Sequence, residues 1–335
     1  MSTFVVRMLG RLLKGVGGGT PAPSGYPRTY DPPPDGPAVR RPKVFEPALI
    51  QFPRAFRVGE PEIHNAATLA RWHVARRQVV DHLLRTVAAS PWREHLVLRG
   101  SVLLKAWLGD VAREPGDIDW VVVPPTLSAK EPPGQNILDD LRASVREHRR
   151  SGEPLIDTDH TRVDSIWLYD RSPGLRASFR WRHDDLFGDV QMDLAFGDPL
   201  LLPPVETDVP TGGGGTVRLL AATKHQSLAW KLQWLDTDTH PQGKDLYDAT
   251  LLAESIAGEA PLPMDVLTRS LASAAGGTPI PADFPARWQV DWPNFRLEYP
   301  DVPGTAAEWQ ARLTRALAPT FADNGKTDPA ADERG

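Results

Sequence analysis

The chain has 335 residues, 41% of them hydrophobic and 24% charged, values of a globular protein that exclude collagen, coiled coil and wholesale disorder. It contains no cysteine, which rules out disulfides, thiolate zinc sites, iron-sulfur clusters and cysteine nucleophiles, and its net charge of -5 gives no global attraction for nucleic acid. At about 150 residues per domain the length accommodates two compact units. No run approaches the ~18 apolar residues needed to cross a bilayer, and Arg7, Arg11 and Lys14 interrupt the start before a secretory core can form, which points to a cytoplasmic chain with no membrane partner.

Proline is in excess, and eleven of the 34 prolines fall between Gly17 and Pro61 without any period. That composition predicts a flexible, extended arm over residues 1–60, basic where the whole chain is acidic: within residues 1–45, Arg7, Arg11, Lys14, Arg28, Arg40, Arg41 and Lys43 face only Asp31 and Asp35. The α/β part is expected over residues 61–215. It opens on a core helix from Ala66 to Ala89, with Leu69, His73 or Val74, Val80, Leu83, Leu84 and Val87 on one face and Arg71, Arg76, Arg77 and Arg85 largely elsewhere. A short apolar run, His95 to Leu98, leads through Arg99-Gly100-Ser101 into a further helix. Asp117 to Val123 then reads as a strand closed by Pro124 and Pro125, and Gln135 to Arg150 as a helix with arginines at its end. Two strands bracket the turn at Arg171-Ser-Pro-Gly174, and a third runs from Asp189 to Phe196, so the strands form a mixed sheet. Asp208 to Thr216, with four consecutive glycines, reads as a flexible connection. Beyond it, helices are expected at Leu219–Leu235, Lys244–Ile256, Met264–Ala275 and Ala306–Leu317, forming a helical domain over 216–322 with a disordered tail at 323–335. The fold class is α+β.

Asp117 and Asp119 lie two apart on a strand, so both carboxylates project from the same side about 7 Å apart and can share a metal cluster. Gly100-Ser101 stands at a strand-to-helix junction, where free backbone N–H groups and a hydroxyl can meet a phosphate. Asp193 shares the polar face of a later strand with Gln191 and adds the third carboxylate that two-metal phosphoryl chemistry requires. Lys224 and Lys231 return to the same helix face after seven residues. Asp245 and Asp248 lie on one face at a helix start, where they can serve the helix dipole or fix a lysine or arginine. The glycine runs at 15–19 and 212–215 lack the Lys-Ser/Thr of a phosphate loop, the nine histidines show no ligand spacing, and the tryptophans are read chiefly as packing.

Arg99-Gly100-Ser101, Arg113-x-x-x-Asp117-Ile-Asp119 and Val190-x-x-Asp193 resemble the core of the nucleotidyltransferase superfamily that includes DNA polymerase beta. Lys231, in Leu228-Ala-Trp-Lys231-Leu, and the Gly243-Lys244-Asp245-Leu-Tyr-Asp248 segment further resemble the motifs of the abortive-infection toxins of AbiEii/AbiGii type, which include the MenT-like toxins. The resemblance spans roughly residues 66–257; it departs from the family pattern in Arg-Gly-Ser, where many members read Gly-Gly-Thr, and in the proline-rich arm.

The resemblance implies transfer of NMP from an NTP to an acceptor hydroxyl. Asp117, Asp119 and Asp193 would hold two Mg2+ ions, with Mn2+ as a substitute. Gly100 and Ser101 would hold phosphates, Lys231 would neutralise the leaving group, and Arg113, Lys244, Asp245 and Asp248 would belong to the nucleotide site. It also implies a toxin of a toxin-antitoxin or phage-defence pair, with RNA, particularly the tRNA 3' end, as acceptor and an antitoxin protein as partner. Arg71, Arg76, Arg77, Arg142, Arg146, Arg149 and Arg150 would supply basic surface for the RNA. A nucleotidyltransferase acting on a small molecule or a protein side chain, and a catalytically silent binding module, remain as alternatives.

Overall fold

The structure, a computed structural model, describes residues 26–30, 40–52, 55–168, 172–258, 260–275 and 279–322. The tail expected at 323–335, the first 25 residues of the arm, the 15–19 glycine run and Arg171 of the expected turn lie outside the described residues.

In chain order the elements are β1 (Lys43–Phe45), β2 (Phe56–Val58), α1 (Ala66–Ala89), β3 (Leu96–Arg99), α2 (Ser101–Leu108), β4 (Asp117–Val122), α3 (Pro132–Glu147), β5 (Leu155–Leu168), β6 (Ser172–His183), β7 (Leu186–Ala195), β8 (Val205–Pro210) and β9 (Thr216–Ala221). The helices α4 (Lys224–Thr237), α5 (Gly243–Ile256), α6 (Met264–Ala275), α7 (Trp292–Glu298) and α8 (Ala306–Ala322) follow. Local chemistry sets several boundaries. The Asn65 side chain accepts from the Thr68 N–H to start α1, and Thr223 caps α4 through the Gln226 N–H. Prolines 124 and 125 follow β4.

The architecture is α+β, with a mixed sheet followed by C-terminal helices. Seven strands form the sheet in the order β5-β6-β7-β4-β3-β9-β8, in which β4 runs parallel to β7 and β3 parallel to β9. Central β4 is apolar at Ile118, Trp120, Val121 and Val122, all buried, as a strand flanked on both sides requires. Helices α1 and α3 pack on this sheet and on each other. Helix α4 joins the two cores: Trp230 and Trp234 belong to the sheet core, while Leu228, Leu232 and Leu235 belong to the core of the helical lobe.

Four expectations change. Ser172, Pro173 and Gly174 of the expected turn belong to β6, where they pair with Leu168, Trp167 and Ile166 of β5. The boundary near 215 falls inside the β8–β9 hairpin, because the glycines at 212–215 form its turn and β9 pairs in parallel with β3 at Leu98↔Ala221. The helix expected from Leu219 begins instead at Lys224. Val217, Leu219 and Ala221 are buried in alternation with exposed Thr216 and Arg218, a strand pattern that a helix starting at Leu219 cuts in two. The polar run at 223–227 holds the cap and first turn of α4.

The arm expected to be flexible through residue 60 is folded where it is described. β1 and β2 pair with each other, and Asn294 of α7 exchanges two hydrogen bonds with the Phe45 backbone, at 3.2 and 3.0 Å. Arg57 bonds Glu298 at 2.7 Å. Tyr30, Val44 and Leu49 stand among the prolines without a regular period, yet each is buried. Replacing Leu49 by alanine is therefore expected to destabilise the protein by about 2–5 kcal/mol in a denaturant titration; an unchanged midpoint would restore the flexible arm.

Candidate active site

Strand register assembles the carboxylates. In the parallel pair β4–β7, Asp117 stands opposite Gln191 and Asp119 opposite Asp193, so the i, i+2 pair and the third acid share one face. One oxygen from each of Asp117, Asp119 and Asp193 lies within 4.8 Å of the others. Gly100, on the far side of Asp119, has φ 79° and ψ -154°, and a Cβ there would stand 2.3 Å from Asp119 Oδ2. Only glycine lets the strand-to-helix turn close against that carboxylate. Ser101 opens α2 with its Oγ 3.5 Å from Asp117 Oδ1, so the turn and the acid cluster form adjoining walls.

The three acids are compensated unequally. Asp193 is buried and receives two bonds from Arg176, Nε to Oδ1 at 2.8 Å and Nη2 to Oδ2 at 2.6 Å. Burial pushes Asp117 up, but Lys244, then Arg113, Arg176 and Lys231, outweigh it and hold the carboxyl below its ordinary value. Asp119 is pushed up to about 7, first by burial and then by the charges of Asp117 and Asp193. Such a concentration of negative charge, with Asp193 buried and Asp117 and Asp119 half-buried, is what a divalent cation relieves, and three carboxylate oxygens suit a hard cation, so this donor set fits a metal held by Asp117, Asp119 and Asp193.

A second charged cluster lies in the helical lobe. Lys231 Nζ on α4 is 2.7 Å from Asp245 Oδ1 and 2.9 Å from Asp248 Oδ2, and Arg113 reaches Asp248 through Nε at 3.1 Å and Nη2 at 3.0 Å. Lys231, Asp245 and Asp248 are buried, and Asp248 stays below its ordinary value because Arg113 and Lys231 overcome the effect of burial. Of the two roles open to the acids at the start of α5, fixing a lysine and an arginine is the one observed. Lys231 is thus a held cation rather than a free one. Half-buried Lys244, next to Asp245, has the largest favourable effect on Asp117 and also acts on Asp119.

Sequence reasoning missed Arg176 and Arg99. Arg99 is buried, bonds Asp198 at 2.5 Å, and lies over Trp230 and Trp234 at 5.1 and 5.4 Å. Its motif position was visible; the aromatic walls come from α4, distant in sequence. Arg176 alternates with Ser178 and Arg180 along β6, a pattern that signals a polar face without revealing which acid it meets.

Most of the basic surface expected for RNA is engaged elsewhere. Arg76 is buried and donates to the carbonyls of Pro115 and Gly116, both at 2.7 Å, tying α1 to the loop that delivers Asp117. Arg71 pairs with Asp185, Arg77 with Asp81, Arg142 with Asp139 and Arg146 with Asp159, while Arg149 donates to the Glu153 carbonyl.

The raised Asp119 carboxyl carries a stability signature. Folding the metal-free chain takes up a proton between the ordinary value of 3.8 and about 7, so stability falls as pH rises through that window. Asp119→Asn removes the charge. In EDTA it is expected to raise the melting temperature at pH 8, by an amount that shrinks toward pH 4; a lowered melting temperature at pH 8 would mean that the carboxylate is already compensated.

Among solved structures, the fold is similar to a candidate nucleotidyltransferase from H. pylori, with TM-score 0.49 and 13% identity over 79% of this chain and 99% of that one. It is also similar to JHP933 from Helicobacter pylori, with TM-score 0.47 and 12% identity over 78% and 95% of the respective chains. No curated protein matches the sequence. Residues 82–322 match the family described as nucleotidyl transferase AbiEii toxin, Type IV TA system. With the match spanning most of its length, the chain belongs to the AbiEii family of nucleotidyltransferase toxins.

Proposed function

We propose that the chain moves NMP from an NTP to a hydroxyl of RNA, the tRNA 3' end in particular, in a reaction that depends on a divalent metal, Mg2+ or Mn2+. The observation that carries this reading is the register Asp119↔Asp193, which gathers three carboxylates beside the Gly100-Ser101 turn. The acceptor oxygen bonds to the α-phosphorus as the bond from that phosphorus to the β-phosphate oxygen breaks; pyrophosphate leaves and the hydroxyl gives up its proton. Held by Asp117, Asp119 and Asp193, two cations would supply the positive charge that stabilises the attacking and leaving oxygens.

The protein's own groups do the rest. The α2 N-terminus, with the Gly100-Ser101 turn, offers backbone N–H groups and a hydroxyl to the phosphates. Lys244 presents a cation beside Asp117, where charge builds on the departing pyrophosphate. Lys231, Asp245, Asp248 and Arg113 hold the helical lobe against this site; Arg113 and Lys231 add positive potential at Asp117. In this reading the protein acts in the cytoplasm as the toxin partner of a cognate antitoxin, in a toxin-antitoxin or phage-defence setting. No described helix is long and apolar enough to cross a membrane.

A second reading has one observation in its favour. Arg71, Arg76, Arg77, Arg142 and Arg146 are engaged by acids or carbonyls, which weakens the attraction for a polyanion and favours a small-molecule or protein acceptor. Incubation with each labelled NTP and total RNA, purified tRNA, protein or metabolites separates the two. Label is expected on tRNA and to depend on added Mg2+; label on metabolites or protein alone would establish the second reading.

Two substitutions test the site. Asp119→Ala is expected to lower the transfer rate at least about 100-fold with the fold retained, as loss of a transition-state charge contact does. Asp193→Asn should keep the affinity for a nonhydrolysable NTP while losing transfer, because in this reading Asp193, on a separate strand from the phosphate turn, serves the acceptor. Equal loss of NTP binding by Asp193→Asn and Asp119→Asn in calorimetry would make the three acids one inseparable nucleotide site.

A further inference from the structure

The N-terminal segment, which precedes the region matched to the family, reaches the carboxylate cluster. Arg28–Tyr30 form a single 3-10 turn in contact with β5 and β6. The Thr29 N–H donates to Asp164 Oδ2 on β5 at 2.6 Å, and Gln191 Nε2 on β7 donates to the Thr29 carbonyl at 3.4 Å. Thus anchored, Tyr30 is buried with its ring centroid 4.9 Å from the Arg176 guanidinium carbon. Burial holds that phenol well above its ordinary value, so it stays neutral.

Arg176 stands between two acids. Its register partners are Asp164 on β5 and Asp193 on β7. An arginine on an open strand face could divide itself between them. Here the Thr29 N–H occupies Asp164, and the Tyr30 ring provides a wall for the guanidinium, which delivers both of its bonds to Asp193.

We propose that Tyr30 is a positioning residue for the metal-binding carboxylates, acting through Arg176 on Asp193, and that the N-terminal segment therefore completes the active site. Tyr30 touches neither Asp117 nor Asp119 in this role; it fixes the direction in which Asp193 presents its oxygens. Cation–π contact with a guanidinium whose side chain is only 11% exposed favours one arginine rotamer. The inference rests on the reading of Asp193 as a metal ligand.

Mn2+ titration of the full chain, followed by electron paramagnetic resonance, tests it without any acceptor. Tyr30→Phe keeps the ring and is expected to bind Mn2+ like the wild type. Tyr30→Leu fills the space without a π face or hydroxyl and is expected to bind about ten-fold more weakly, the scale of loss when a partner of a metal ligand is removed. If the leucine variant does not fold, as judged by circular dichroism, Tyr30→Met is read in its place. Leucine or methionine variants that bind Mn2+ as well as the phenylalanine variant, or better, would overturn the positioning role while leaving the metal site intact. A wild-type chain that binds no Mn2+ would instead overturn the metal reading of the trio, and this inference with it.

Discussion

A single row of charged residues across the sheet governs the molecule. Asp164, Arg176, Asp193, Asp119 and Arg99 are successive register partners on β5, β6, β7, β4 and β3. Alternation makes such a row all-or-nothing: a slip of one residue on β7 would turn Asp193 into the core and bring an apolar neighbour to face Asp119. Burial of Val190, Met192 and Leu194 on the opposite face locks the register, so hydrophobic packing on one side of β7 sets the acid geometry on the other. Gly100 belongs to the same constraint, because its missing side chain is what lets the α2 turn reach this row.

Charge compensation comes from three parts of the fold. Asp193 is served within the sheet by Arg176. Asp117 is served mainly from outside it, by Lys244 of α5 and by Arg113, itself held by Asp248 of the same helix. Asp119 retains a raised carboxyl, and Arg99 offsets only part of the effect. The helical lobe is therefore an electrostatic component of the site and not merely an appendage. Helix α4 makes the connection mechanical as well: it places Trp230 and Trp234 over Arg99 and carries Lys231 to the acids of α5.

Much of this was legible in the sequence because the signals were local. Asp117-Ile-Asp119 needs only strand alternation to yield a carboxylate pair, and the helix expected at Ala66–Ala89 has the observed bounds. The order of Gly-Ser, the acid pair and Asp193 could be read without knowing which strands pair. What stayed hidden depends on pairing between distant segments. Arg176 carries no motif, and its role appears only once β6 lies beside β7. Arg76 looks like one of several surface arginines of α1 until the loop before Asp117 folds under it. Tyr30 stands alone before a run of prolines and Leu49 lies in a short apolar cluster between Pro47 and Pro53, where neither a helical nor a strand period can register them. β9 offers only six residues, and its apolar end at Leu219 to Ala221 fits a helix as readily as a strand.

The central claim is that Asp117, Asp119 and Asp193 form one divalent-metal site beside the Gly100-Ser101 turn. Crystals grown with Mn2+ and a nonhydrolysable NTP, measured at the manganese absorption edge, test it most directly. The expected result is anomalous density among the three carboxylates, with the triphosphate against the α2 N-terminus. Manganese bound elsewhere, or a triphosphate seated away from this cluster, would contradict it.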